Sequence, residues 1–194
     1  MRDEPDPDGT TPVDADEAAD LIPPHVHRRD ELNAWEQANI VRAAEWVQRT
    51  RKPALDESTI RELHRRMFDE TWRWAGHYRT SDKNIGVHWP TIPEEVRNLV
   101  DDGAYWLEHA TYSYDEAAIR LHHRLVRIHP FANGNGRHAR LWCDLLLRQH
   151  RRPLLEWVPG PLTPGEARER YLRALRSADR GDLAPMLDLY LKGR

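Results

Sequence analysis

Cysteine is almost absent. Cys143 is the only one in 194 residues, which excludes a disulfide framework and a zinc site built from several thiolates. A single thiol fits a reducing cytoplasm, the expected compartment. Long apolar runs are also missing, so no membrane-spanning segment is expected. No apolar stretch follows Met1, and no secretory leader is expected. Phenylalanine is scarce, with 2 residues against 8 tryptophans. The tryptophans are expected mainly to pack, with Trp46, Trp106 and Trp142 in the core or at its edge. A base-stacking platform would need exposed aromatics interleaved with basic residues.

Charge is plentiful but nearly balanced, with 29 Lys and Arg against 32 Asp and Glu. It is unevenly spread. Residues 1–20 hold Asp3, Glu4, Asp6, Asp8, Asp14, Asp16, Glu17 and Asp20 against Arg2 alone, a net of −7 that leaves the rest at +4. That excess is too small to predict nucleic acid as a partner. The first twenty residues have three prolines and only Val13 as a large aliphatic. Such a segment cannot bury enough surface to order itself. A disordered acidic arm over 1–20 and one domain over 21–194 are therefore expected.

From Leu21 onward the apolar spacing is three and four, the period of helices. Seven stripes follow. They run through Trp35, Asn39, Ala43, Trp46 and Val47; Ile60, Leu63, His64 and Met67; and Val96, Leu99, Val100, Trp106 and Leu107. They continue through Ala118, Leu121, Leu125 and Ile128; Leu141, Trp142, Leu145 and Leu146; Ala167, Tyr171, Ala174 and Leu175; and Leu183, Leu187 and Leu191. Only Lys83–Trp89 alternates weakly, as a short hairpin would. The expected class is all-α with one small hairpin.

The stretch His129-Pro130-Phe131-Ala132-Asn133-Gly134-Asn135-Gly136-Arg137-His138-Ala139-Arg140 joins two of these helices. Pro130 biases His129 toward an extended backbone and should end the helix before it. Gly134-Asn135-Gly136 can take positive φ angles and turn successive N–H groups inward as an anion nest. The next helix should begin near Gly136 or Arg137, with its positive dipole end at the same point. Arg137 and Arg140 are three apart, on one face of the first turn, and both can fork onto phosphate oxygens. The imidazole of His129 suits a general base near neutral pH. A Gly-rich turn with a structural histidine is the bland alternative. The coincidence of a base, a nest and two arginines within twelve residues favours phosphoryl or nucleotidyl transfer.

This segment resembles the signature of Fic proteins, His-Pro-Phe-x-Asp/Glu-Gly-Asn-Gly-Arg-x-x-Arg, at eight of its nine specified positions. Trp74-Ala75-Gly76-His77-Tyr78-Arg79 resembles the element that precedes the family's flap, and Lys83-Asn84-Ile85-Gly86 the flap hairpin. Gly181-Asp182-Leu183-Ala184-Pro185-Met186 resembles its last helix. With Glu31-Leu32-Asn33-Ala34-Trp35-Glu36-Gln37-Ala38-Asn39, the pattern is most similar to the branch called mobile mystery protein B. The resemblance implies a Fic-type helical bundle that transfers AMP from ATP to a Ser, Thr or Tyr hydroxyl of a target protein. It implies His129 as base, the backbone of Gly134, Asn135 and Gly136 as phosphate holder, and Arg137 at the leaving pyrophosphate. It further implies Arg140 at the β- and γ-phosphates and Phe131 as a buried anchor. The flap at Lys83–Gly86 would dock the target by strand addition. Glycine at 136, where the kinase-like Doc branch carries lysine, favours AMP transfer.

Asn133 departs from the family's Asp or Glu, which helps hold Mg²⁺. A neutral amide is a weaker ligand for a hard cation. Three readings follow: Mg²⁺ held mainly by phosphates and water, a donor other than ATP, or a nucleotide-binding regulatory protein with weak or changed activity. Many relatives are inhibited by a helix whose glutamate pairs with the second motif arginine. Glu36 is the candidate here, although Leu32 and Gln37 depart from the Ser/Thr-x-x-x-Glu-Gly/Asn pattern. The branch resemblance also implies control by a helix-turn-helix partner. One rival pattern is Arg124 and His129 at the spacing of HEPN ribonucleases, which leaves the Gly-Asn-Gly nest unexplained. His122, His123 and His138 are expected to be solvated or packed rather than metal ligands.

Overall fold

The computed structural model describes residues 18–24, 29–158 and 163–192. Most of the acidic arm, residues 1–17, lies outside them. Its last residues, Ala18–Asp20, do not: Asp20 accepts a bond from the Arg73 N–H (3.0 Å), and Leu21 bridges to Trp72.

Among the described residues there are seven α-helices, one for each apolar stripe: α1 (Arg29–Arg49), α2 (Glu57–Phe68), α3 (Ile92–Glu108), α4 (Tyr114–Ile128), α5 (Asn135–Gln149), α6 (Pro164–Asp179) and α7 (Ala184–Leu191). Their ends follow local chemistry. Asp56 caps α2 by accepting from the Thr59 N–H (2.8 Å), and Ser113 caps α4 from Glu116 N–H. Thr163 and Glu166 form a reciprocal capping box on α6. α3 and α7 begin with proline in the first turn instead. α5 begins at Gly134 with neither a side-chain cap nor a proline.

α4 and α5 form the centre. α5 packs against α1, α2 and α4, while α4 packs against α3, α5, α6 and α7. Trp142, Leu145, Leu121, Leu125, Ile60 and Met67 are completely or almost completely buried. Each such side chain contributes about 1.5–3 kcal/mol on transfer from water. The Trp142 indole donates to the Ala54 carbonyl (2.8 Å), so its one polar atom is satisfied in the core. The α1–α2 connection is tied to the end of α5 through Arg148 to the Thr50 carbonyl and Gln149 to the backbone of Lys52 and Ala54.

The expected hairpin is not formed. Residues 80–88 contain no strand, and among the described residues the β pairing consists of two isolated bridges, Leu21 to Trp72 and Tyr78 to Phe131. The carbonyls at the flap's ends, Ser81 and Val87, accept instead from the guanidinium of Arg79. No described helix is long and apolar enough to cross a membrane.

Candidate active site

The loop between α4 and α5 is shaped by two departures from ordinary backbone. His129 closes α4 in the left-handed region (φ 55°, ψ 58°), not the extended conformation expected before proline. Its N–H still bonds the Leu125 carbonyl (3.2 Å), so the last helical turn wins over the proline's bias. A non-glycine residue in that region costs about 1–2 kcal/mol, a strain typical of functional sites. Gly134 is the second departure, at φ 77°. A Cβ there would lie 2.4 Å from Cζ of Phe68, so both the backbone and the space demand glycine.

Only Gly134 of the glycine run has positive φ. Asn135 and Gly136 already belong to α5, which starts one residue earlier than expected. In place of the expected nest of three residues there is a left-handed glycine followed by a helix N-terminus. In its first turn the N–H groups have no intrahelical acceptor and no side-chain cap. A Cβ on Gly136 would meet nothing nearer than the Tyr171 hydroxyl at 3.8 Å and Arg140 at 3.9 Å. Glycine at 136 thus leaves the mouth of the nest open rather than relieving strain. The Asn135 side chain is buried and clamps the loop, with its Oδ1 accepting from Phe131 N–H (3.0 Å) and its Nδ2 donating to the Phe131 carbonyl (2.8 Å).

The imidazole of His129 is buried, and burial pushes its pKa down to about 4. The Arg79 and Lys83 charges act in the same direction. The ring is neutral near pH 7. Nδ1 contacts the Val126 carbonyl (3.3 Å), which can only accept. That assigns the proton to Nδ1 and the lone pair to Nε2.

Arg137 and Arg140 diverge. Arg137 donates to Glu36 Oε2 at 2.6 Å and lies over the Phe68 ring. Arg140 lies over the Tyr171 ring, 5.3 Å from its centroid. Glu36 thus meets the first motif arginine, whereas the resemblance implied the second. The difference follows from geometry, since residue 140 faces α6. Glu36 is no solvated helix-face residue. It is 6% exposed, and its second oxygen accepts from the Trp72 indole (2.8 Å). Trp72 is stacked on Trp74, which fixes the indole's aim.

Phe131 is fully buried, as an anchor should be, and stacks on His64 with ring centroids 3.7 Å apart. His64 had read as one more core position on α2. Its Nδ1 accepts from Gly76 N–H (3.0 Å) and its Nε2 donates to the Asn133 carbonyl (3.0 Å), so a neutral ring of fixed tautomer supports the loop from below. Burial holds its pKa well below the usual imidazole range. The signal available from sequence was a histidine inside an apolar stripe. Arg79 was legible only as part of a motif, yet its Nε donates to the carbonyl of His129 itself (2.7 Å).

The other flanking histidines are packed. His122 meets the Tyr171 hydroxyl, His123 meets Asp179, and His138 donates to the Ile60 carbonyl. Cys143 is buried against the Ala118 carbonyl. Arg124 bonds Asp102 (2.6 Å) and lies over Trp106, which commits it away from a ribonuclease-like pairing with His129. At the expected metal position, Asn133 Oδ1 accepts from the adjacent Gly134 N–H. Among the described residues no three His, Cys, Asp or Glu side chains are grouped to hold a metal ion. This donor set does not fit a protein-held Mg²⁺.

A model of the Fic/DOC family matches residues 54–147. Protein adenylyltransferase fic-1 of Caenorhabditis elegans is 35% identical over 132 residues, covering 66% of this chain and 25% of the worm protein. Protein adenylyltransferase Fic of Drosophila melanogaster is 32% identical over 148 residues, covering 68% of this chain and 29% of the fly protein. The solved structure of Fic-1 from C. elegans matches with a TM-score of 0.67 at 26% identity, over 88% of this chain and 50% of that one. BepC of Bartonella tribocorum, solved with bound AMPPNP, matches with a TM-score of 0.67 at 22% identity, over 84% and 86%. The chain belongs to the Fic/DOC family. It spans about a quarter of the length of the curated relatives it matches.

Proposed function

We propose that the chain is a protein adenylyltransferase that moves AMP from ATP to a Ser, Thr or Tyr hydroxyl of a target protein. The observation that carries this is a buried neutral imidazole six residues before Asn135, the first residue of α5, whose N-terminus is uncapped. A target hydroxyl oxygen attacks the α-phosphorus and its proton passes to Nε2 of His129. The bond from the α-phosphorus to the bridging oxygen breaks and pyrophosphate leaves. The first-turn N–H groups of α5 hold phosphate oxygens in place. Arg137 stabilises the charge that develops on pyrophosphate, and Arg140 the β- and γ-phosphates. Two relatives named as protein adenylyltransferases support ATP as donor. Asn133 would offer a divalent ion only a neutral amide oxygen, so such an ion would depend mainly on ligands from outside the chain.

Glu36 restrains the enzyme by occupying Arg137. Target docking falls to the exposed stretch around Ile85, whose flap segment has no strand partner of its own. Likeness to the mobile mystery protein B branch supports a helix-turn-helix protein as the controlling partner, and the single buried thiol fits a reducing cytoplasm. ATP labelled at the α-phosphorus and, separately, at the γ-phosphorus tests the reaction type. Protein-bound label from the α position alone is expected. Label arriving from the γ position would replace AMP transfer with kinase chemistry.

A further inference from the structure

Arg79 lies four residues before the flap segment 83–86, and its side chain is fully buried. A guanidinium carries five N–H donors and cannot shed its charge, so burial is costly unless the donors are engaged. Asp82 is 3.6 Å away and half exposed, a loose partner. The close partners are backbone carbonyls from three points of the chain. Nε donates to His129 O (2.7 Å), Nη1 to Ser81 O (2.8 Å) and Nη2 to Val87 O. Its own backbone N–H bonds the Pro130 carbonyl (2.9 Å). One planar group therefore closes the flap at both ends and fastens it to the residue that carries the base.

The flap makes the same connection from its side. Val87 N–H donates to the Ile128 carbonyl (3.3 Å). Gly86, at φ 102°, comes so near that a Cβ would lie 2.7 Å from His129 Cβ and 2.8 Å from Arg79 Nη2. His129 is itself in a left-handed conformation that must be maintained by what holds its carbonyl. We infer that Arg79 is a positioning residue that makes the target-docking flap and the His129 imidazole one mechanical unit. A strand that orders the flap also fixes the base, and loss of the guanidinium frees both together. The consequence for rate rests on the transferase reading; the linkage does not.

Two variants of the 194-residue chain disturb the latch, one at the guanidinium and one at the flap. Arg79→Lys keeps the charge but replaces a three-way fork with one ammonium. Gly86→Ala keeps the guanidinium but pushes a methyl against both His129 Cβ and Arg79 Nη2. Amide hydrogen exchange would be followed in peptides covering 80–90 and 126–134, with α6 as the internal control. The His129 ring would be titrated by NMR with labelled imidazole carbons. Self-transfer from α-labelled ATP would give kcat and the KM for ATP. In both variants exchange should rise about tenfold or more in the two segments together, with α6 unchanged, since local opening is read segment by segment. The His129 pKa should move up toward the ordinary 6.5 as water reaches the ring. The kcat should fall at least about tenfold, short of the about 10²–10⁴-fold loss expected when the base itself is removed, while the KM for ATP stays within about twofold.

Loosening of the flap with 126–134 unaltered would overturn the linkage. So would equal loosening of α6, which would mark Arg79 as a general packing residue. An ATP KM effect with unchanged kcat would also contradict it. If the wild-type chain transfers nothing, the transferase reading fails, while exchange and titration still decide the linkage.

Discussion

Replacing Glu36 by glutamine separates the two jobs of that carboxylate. The amide oxygen can still accept from the Trp72 indole, now 2.8 Å from Oε1. The negative charge that holds Arg137 at 2.6 Å is removed. A hydrogen bond to a charged group contributes about 1.5–3 kcal/mol. The Glu36 side chain is 7% exposed but Arg137 is 36% exposed, so water screens the pair and the lower end applies. An ATP phosphate that no longer competes for the fork should gain about 1.4 kcal/mol or slightly more, a factor of roughly ten in affinity. Isothermal titration with ATP measures this directly. The double variant Glu36→Gln with Arg137→Ala completes the cycle, and there the gain should vanish. Glutamine is a better choice than glycine, which inside α1 would add about 1 kcal/mol of helix destabilisation. Unchanged or weaker ATP binding by a folded Glu36→Gln protein would refute the competition. A gain that survives in the Arg137→Ala background would place its origin elsewhere.

Other outcomes follow from the same geometry. His129→Ala should lower transfer by about 10²–10⁴-fold while ATP affinity changes little, as paired activity and binding measurements would show. Stability should fall with acid. Burial lowers the folded-state pKa of His122 to about 3 and of His129 and His138 to about 4, so the unfolded chain takes up protons first. Their stabilisation is complete above the unfolded value near 6.5. Below it each site loses up to about 1.4 kcal/mol per pH unit, until the folded pKa is reached. Thermal melts between pH 7.5 and 4.5 should show this slope, and His138→Gln should make it shallower. Gly134→Ala should cost about 2–4 kcal/mol, from the left-handed backbone plus overlap with Phe68, and a thermal shift reads it.

Apolar spacing marked all seven helices because each buries one continuous stripe. α1 is instructive, since its buried face runs Leu32, Glu36, Asn39, Ala43 and Val47. The spacing put Trp35 and Trp46 on this face, where the structure half-buries them and buries Leu32 and Glu36 instead; Trp72, Arg137 and Thr71 meet the two polar residues. The partner of Glu36 was not legible. Whether residue 137 or residue 140 faces α1 depends on how α5 is rotated against it. The loop motif picked out His129, the buried Phe131 and the left-handed glycine at 134. It did not give the conformation of His129, where a helical hydrogen bond outweighs a preference set by the next residue. The hairpin failed because alternation over seven residues says nothing about a guanidinium arriving from Arg79. The support from His64 was hidden for a similar reason, because a histidine on an apolar stripe shows its ring nitrogens' partners only after the chain has folded.

Intact-mass spectrometry of the wild-type, Glu36→Gln and His129→Ala proteins, each incubated with ATP and Mg²⁺, tests the central claim most directly. AMP transfer through His129 requires a gain of one adenylyl group in the wild type, a larger modified fraction in Glu36→Gln, and none in His129→Ala. An equal gain in the His129→Ala protein, or no gain in any of the three, would contradict it.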